Sequence, residues 1–154
     1  MSDQDLLQLY SSRILALAAD IPHLGRLPAP QGSSKKRAPL CGSTVGVDLS
    51  LEDGRIAAFA QDVRACALGQ AAASVLGSAI LGRTPEEVRQ GRDALRAMLR
   101  DGAEPPPAPW DGFAVLIPAR DHTNRHGSIL LAFEAAVEAL DQAEVGQKNA
   151  AASL

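Results

Sequence analysis

An alternating stretch in the first half of the chain constrains its fold more than any other feature. From Val45 to Leu51 every second residue is apolar, and the residues between them are polar or glycine. This period of two predicts a half-buried strand, and Asp53-Gly54 directly after it is a strong hairpin-turn signal. A second strand is predicted from Ile56 to about Val63, with a bulge so that Ile56 and Phe59 both face the core. A hairpin alone is not stable, so a third strand or covering helices are expected.

Four segments carry helix signals: residues 3–20, with Asp3 as cap and Pro22 as terminator; Cys66–Leu81; residues 84–102; and Gly127–Glu144. The second segment is apolar on nearly all sides, which predicts a buried central helix. The third begins with Thr84 as cap, Pro85 at its first position and Glu87 completing a capping box. These helices and the hairpin predict an α+β fold, a small antiparallel sheet of about three strands covered by several helices.

The remaining segments are predicted to be irregular. Residues 22–40 are rich in proline, glycine, serine and basic side chains, and residues 103–110 form a proline-rich spacer. The apolar run from Phe113 to Ile117 can either pair as a strand or pack against the core. We expect one domain over residues 1–144 and a disordered tail over 145–154.

Composition excludes several classes of function. The net charge of −3 in 154 residues argues against a general nucleic-acid binder. No apolar run reaches the length of a membrane span, and the acidic start is not the pattern of a secretory signal or a transit peptide. The sequence therefore predicts a cytoplasmic protein, in which thiols stay reduced.

The chemistry that the sequence offers centres on its two cysteines. Cys66 is expected in the first turn of the buried helix, where free N–H groups, the helix dipole and nearby Arg64 would stabilise a thiolate. The alternative is that Cys66 simply packs in the core. Cys41 precedes the hairpin, and because a hairpin returns the chain to its start, both cysteines are expected at one end of the sheet.

Several motifs resemble the iron–sulfur cluster scaffold family that includes SufU, IscU and the N-terminal part of NifU. They are a Leu-Tyr start in the first helix, the element His23–Leu27, Pro39-Leu40-Cys41-Gly42 before the hairpin, and a cysteine at the start of the following helix. The resemblance runs from about Leu6 to Leu140, and the 25-residue spacing of the cysteines is closest to SufU.

The resemblance implies a role in iron–sulfur cluster assembly rather than a classical enzyme activity. It implies a cysteine desulfurase as partner, Cys66 as a sulfur acceptor or ligand, and Cys41 as a ligand. Neither nucleic acid nor a membrane is an expected partner.

The sequence departs from the family pattern at two ligand positions. The aspartate two residues after the first cysteine is Ser43 here. The family's third cysteine, in a His-Cys-Ser-Ile-Leu motif, is Gly127 within His126–Leu130, and a shift of one residue places Ser128 there instead. Cys41, Cys66 and His126 remain as ligands for zinc or an iron–sulfur cluster, with Asp121 or His122 as candidates for a fourth.

The sequence leaves two other functions open. One is a metal-free structural or regulatory paralogue that binds a desulfurase or another partner. The other is a redox protein in which Cys41 and Cys66 form a reversible disulfide.

Overall fold

The structure is a computed structural model that describes residues 9–152, with the side chains of residues 9–149. Its elements, in chain order, are α1 (Ser12–Ala19), β1 (Gly32–Arg37), β2 (Thr44–Glu52), β3 (Arg55–Arg64), α2 (Ala67–Ala79), α3 (Pro85–Asp101), a 3-10 helix (Asp111–Asp121) and α4 (Thr123–Ala152). The strands form an antiparallel sheet in the order β1-β2-β3. This arrangement confirms the predicted α+β fold.

The β2–β3 hairpin forms as its sequence predicts. Asp53 and Gly54 both have positive φ, 53° and 76°, as a two-residue type I′ turn requires. The register shifts by one residue beside Leu51, which pairs with Ile56 while its neighbour Ser50 pairs with Ala58. This bulge lets Ile56 and Phe59 both be buried, as expected.

The third strand comes from the segment that the composition predicted to be irregular, and this part of the prediction is wrong. Residues 32–37 form β1, which pairs antiparallel with β2 from Gly32↔Leu49 to Arg37↔Thr44. No apolar alternation marks β1, because it is an edge strand held by its backbone pairing and by α4. The Ser34 hydroxyl donates to the Ala135 carbonyl (2.5 Å). The lysines and the arginine of β1 are typical of an exposed edge strand.

Helices α2 and α4 form the centre of the molecule. Nine of the thirteen residues of α2 are buried, as its all-round apolar character predicts. Helix α4 packs on β1, β2, α2 and α3. Helix α3 begins with the predicted capping box, in which Thr84 Oγ1 accepts from the Glu87 N–H (3.2 Å) and Glu87 Oε1 accepts from the Thr84 N–H (3.1 Å). Among the helices within residues 9–152, none combines the length and the apolarity that a membrane crossing needs.

Three predicted boundaries differ from the structure. The run from Phe113 to Ile117 is part of the 3-10 helix rather than a strand, because Phe113, Leu116 and Ala119 recur every third residue and face the core together. Helix α4 begins at Thr123 rather than Gly127. It also continues to Ala152, so residues 145–152 are helical rather than a disordered tail, in line with the high helix propensity of alanine.

Of the helix predicted over residues 3–20, only residues 9–20 are described, and the helix is interrupted there at Tyr10 and Ser11. Helix α1 begins after Ser11, whose Oγ accepts a hydrogen bond from the Ile14 N–H (3.3 Å), and its C-cap is Asp20, two residues before Pro22. The proposed cap Asp3 lies outside the described residues.

Candidate functional site

Cys41 lies on a tight turn that joins β1 to β2. The Ala38 N–H donates to the Ser43 carbonyl (2.8 Å), and the Gly42 N–H donates to the Ala38 carbonyl (2.9 Å). Gly42 has φ 72°, a left-handed conformation that glycine adopts without strain. The turn leaves Cys41 exposed at the surface, while Ser43 directs its side chain inward and is buried.

Cys66 lies at the same end of the sheet. It follows β3 and is the N-cap of α2, with extended backbone and no capping hydrogen bond from its side chain. Thr44 pairs with Arg64, so the segments that carry the two cysteines leave the sheet side by side. Cys66 is half-buried, and both cysteines are free thiols.

Two serine hydroxyls connect the two sulfurs. Ser43 Oγ lies 3.0 Å from Cys41 Sγ and 3.1 Å from Ser128 Oγ, and Ser128 Oγ lies 3.5 Å from Cys66 Sγ. We call these four side chains the thiol–hydroxyl row. Ser128 belongs to α4 and reaches the row because α4 crosses α2 at Gly69, where a Cβ would lie 2.5 Å from Ser128 Oγ.

The thiol–hydroxyl row can be polarised in one direction. When Cys41 is a thiolate, it accepts from the Ser43 hydroxyl, Ser43 accepts from the Ser128 hydroxyl, and Ser128 accepts from the Cys66 S–H group. The hydrogen bond from the Ser43 side chain lowers the pKa of Cys41 below its ordinary value, against the opposing effect of partial burial, and Ser128 adds a smaller contribution. The row therefore favours the ionised form of Cys41.

His126 lines the pocket beside Cys41, but one of its ring nitrogens is held by backbone carbonyls. The imidazole is buried, and its Nε2 lies 3.0 Å from the carbonyl oxygens of Ala119 and of Arg120. Carbonyls only accept hydrogen bonds, so Nε2 must carry a proton and has no lone pair for a metal. The candidate fourth ligands Asp121 and His122 end the 3-10 helix and do not line the pocket beside Cys41.

Gly127 and Ser128 have different surroundings in α4. Gly127 is exposed, and a Cβ there would point towards Ala38, 3.9 Å from its Cβ. Ser128 is 2% exposed and contacts Ser43 and Cys66. Of the two residues that can align with the family's third cysteine, Ser128 is the one beside the sulfurs.

The donors do not fit a four-ligand metal site. Within residues 9–152, no group of three or more histidine, cysteine, aspartate or glutamate side chains is placed to hold a metal ion. Structural zinc takes four thiolate, imidazole or carboxylate ligands, whereas the row offers two sulfurs and two neutral hydroxyls. Hydroxyls of serine are poor ligands for zinc and iron at neutral pH because they stay protonated.

A pocket of about 510 Å³ opens beside Cys41. Its walls come from the turn before β2, the end of α3, the 3-10 helix and the first turns of α4: Ala38, Pro39, Leu40, Cys41, Leu99, Arg100, Arg120, Thr123, Asn124, His126, Gly127 and Ser128. The lining contains two arginines and no carboxylate. The sequence gives no signal for this pocket, because its residues are distant along the chain and follow no motif.

Comparison with solved structures identifies the class of protein that this fold and cysteine pair define. The chain is similar to the N-terminal domain of a nitrogen-fixing NifU-like protein from Brucella abortus, with 37% identity, a TM-score of 0.89, and coverage of 92% of this chain and 98% of that one. The chain therefore belongs to the NifU-like N-terminal family, and the predicted resemblance is confirmed.

Other similarities show the fold alone. A candidate scaffold protein for iron–sulfur cluster assembly in the SUF system of Fervidobacterium islandicum is 19% identical, with a TM-score of 0.77 and coverage of 87% of this chain and 98% of that one. A hypothetical protein is 23% identical with a TM-score of 0.75, over 88% of this chain and 98% of that one. No family profile and no curated protein matches the sequence.

Proposed function

We propose that this protein takes part in iron–sulfur cluster assembly and that its Cys41 accepts sulfur from a cysteine desulfurase. Cys66 is the second thiol of the site. Membership of the NifU-like family supports the general role. The observation that carries the proposal is the thiol–hydroxyl row, which ends in an exposed thiol whose pKa is lowered by the Ser43 hydroxyl. The sequence favoured Cys66 as acceptor, but a nucleophile needs both ionisation and access, and Cys41 has the greater exposure.

The chemical step needs only the two proteins. The Cys41 thiolate attacks the outer sulfur of the persulfide that a desulfurase carries on its own cysteine. A sulfur–sulfur bond forms on Cys41 as the one in the donor breaks, and the donor cysteine leaves as a thiolate. The outer sulfur carries its hydrogen to Cys41, so no external oxidant or reductant is consumed.

Mass spectrometry of the protein after incubation with a cysteine desulfurase and free cysteine tests the proposal. We expect a persulfide mapped to Cys41, which is lost in Cys41→Ser and retained in Cys66→Ser. Labelling that survives Cys41→Ser and disappears in Cys66→Ser would assign the acceptor to Cys66. Absence of a persulfide on either cysteine, with a desulfurase that labels another acceptor in parallel, would contradict a sulfur-accepting role.

A further inference from the structure

The pocket beside Cys41 has a charge pattern that the sulfur-accepting role does not itself require. Arg100 and Arg120 both line it, and neither has a carboxylate partner among the described residues. The Arg120 guanidinium is fixed in place, since its Nε donates to the Met98 carbonyl (2.8 Å) and its Nη2 to the Ala103 carbonyl (2.5 Å). Carbonyls orient this cation without neutralising it.

The rest of the lining is apolar or neutral. Leu40 is 81% exposed directly before Cys41, and Leu99 and Pro39 form apolar walls. A volume of about 510 Å³ lies within the range of small-molecule sites, which combine apolar walls with a few polar groups that orient the ligand. A ligand of this pocket should thus carry negative charge on a small body and reach the sulfur of Cys41.

We propose that this pocket binds a small anionic thiol and presents it to Cys41. The proposal rests on the proposed function for its purpose, because the bound thiolate would attack the outer sulfur of a Cys41 persulfide. The product would be the persulfide of the small thiol, and Cys41 would leave as a thiolate, so the sulfur atom and the electrons balance. The binding itself does not depend on a desulfurase and can be tested separately.

The test compares three symmetric disulfides of similar length that differ in charge: dithiodipropionate (anionic), hydroxyethyl disulfide (neutral) and cystamine (cationic). In each reaction the Cys41 thiolate attacks one sulfur, one half of the reagent stays on Cys41, and the other half leaves as a thiolate. The rate of adduct formation on Cys41 is measured by peptide mass spectrometry in the full chain. Each rate is divided by that of the same reagent with a small free thiol, which removes the intrinsic reactivity of the reagent.

We expect the normalised rate to be about three- to tenfold higher for the anionic disulfide than for the cationic one, and the difference to shrink in high salt. Arg100→Ser should lower this ratio by about two- to fivefold. Arg100 is exposed and makes no ion pair or hydrogen bond among the described residues, so the variant should fold. Arg100→Lys keeps the charge and should keep the ratio.

Arg13→Ser is the matched control, because Arg13 is exposed on α1 and does not line the pocket. It should leave the ratio unchanged. Equal normalised rates for the three reagents, or an equal effect of Arg13→Ser and Arg100→Ser, would overturn the proposal. Because no desulfurase is present, this result can fail while sulfur transfer to Cys41 succeeds, and the reverse also holds.

Discussion

At the scale of single residues, the site depends on the hydroxyl groups of two buried serines. Ser43 and Ser128 lie between the sulfurs and are 5% and 2% exposed. A hydroxyl can donate one hydrogen bond and accept another, so the two serines can link the sulfurs by hydrogen bonds that all point the same way. An ionised carboxylate only accepts hydrogen bonds and cannot do this. The two serines thus connect the sulfurs, and Ser43 lowers the pKa of the exposed thiol of Cys41.

Ser43→Ala should raise the pKa of Cys41 towards the free-thiol value of about 8.5, because the Ser43 hydrogen bond is the largest cause of the lowered pKa. The pH dependence of Cys41 alkylation by iodoacetamide, followed by peptide mass spectrometry, measures this pKa. Ser128→Ala should produce a smaller rise, since its contribution is smaller. A Cys41 titration that is identical in the parent protein and Ser43→Ala would refute the polarised row.

The same geometry predicts how a metal site could be restored. Ser43→Asp combined with Ser128→Cys adds a carboxylate and a thiolate beside Cys41 and Cys66, which gives four ligands of the kinds that zinc prefers. Zinc affinity, measured by competition with a chromophoric chelator, should rise by more than about tenfold over the parent chain. The matched control, Ser43→Asp with Gly127→Cys, should gain much less because position 127 faces Ala38. Equal gains in the two double variants would contradict a ligand position specific to Ser128, and a larger gain with Gly127→Cys would assign the position to Gly127.

At the scale of elements, the close approach of α4 to the edge strand holds Ser128 in place. Gly32 of β1 lies against α4, and a Cβ there would overlap the carbonyl oxygen of Ala139. The Ser33 N–H donates to Gln142 Oε1 (3.1 Å), which ties the same two elements together. The position of α4, and with it the site, depends on glycine at position 32.

Gly32→Ala should lower the free energy of unfolding by about 1–3 kcal/mol, because the strand or the helix must shift to relieve the overlap. Gly127→Ala is the matched control: its new Cβ would meet only Ala38 at an ordinary 3.9 Å, and alanine in a helix is up to about 1 kcal/mol more favourable than glycine. Urea unfolding of both variants provides the comparison. Equal stability of the two would show that the α4–β1 contact adapts at no cost.

At the scale of the whole molecule, a buried carboxylate ties the segment before β1 to the sheet. Asp48 of β2 is 2% exposed, and its carboxylate accepts from Arg26 Nε (2.7 Å), the Leu27 N–H (3.1 Å) and the Ser33 hydroxyl (2.6 Å). Burial acts to raise the pKa of Asp48, but these hydrogen bonds together lower it below its ordinary value. The ionised form therefore stabilises the fold.

Asp48→Asn should lower the free energy of unfolding at pH 7 by about 1–3 kcal/mol, since it keeps the shape but removes the charge. A depressed folded-state pKa contributes stability that is fully present above the unfolded pKa of about 3.9 and is lost as the pH falls through the folded value. The difference in free energy of unfolding between the parent protein and the variant should accordingly shrink below about pH 4. Asp62→Asn, on an exposed carboxylate of β3, should show no such gap. A gap for Asp48→Asn that is independent of pH would contradict this role.

The elements that the sequence predicted correctly are those encoded by neighbouring residues. The β2–β3 hairpin follows from its alternation and from Asp53-Gly54, and α3 follows from its capping box. The hairpin in turn dictates that Cys41 and Cys66 leave the sheet at the same end. Each of these signals acts over a few residues, so the rest of the fold does not override it.

Tertiary contacts alone decided the remaining features. β1 is a strand because β2 and α4 complete it, although its own residues carry no strand pattern. The choice between Gly127 and Ser128 depends on the rotation of α4, and successive helical residues point about 100° apart, so only packing selects one of them. The pocket with Arg100 and Arg120 exists because α3 and the 3-10 helix end beside the β1–β2 turn. Alternation, turns and caps thus determine the elements, whereas the relative placement of those elements determines which side chains face the sulfurs.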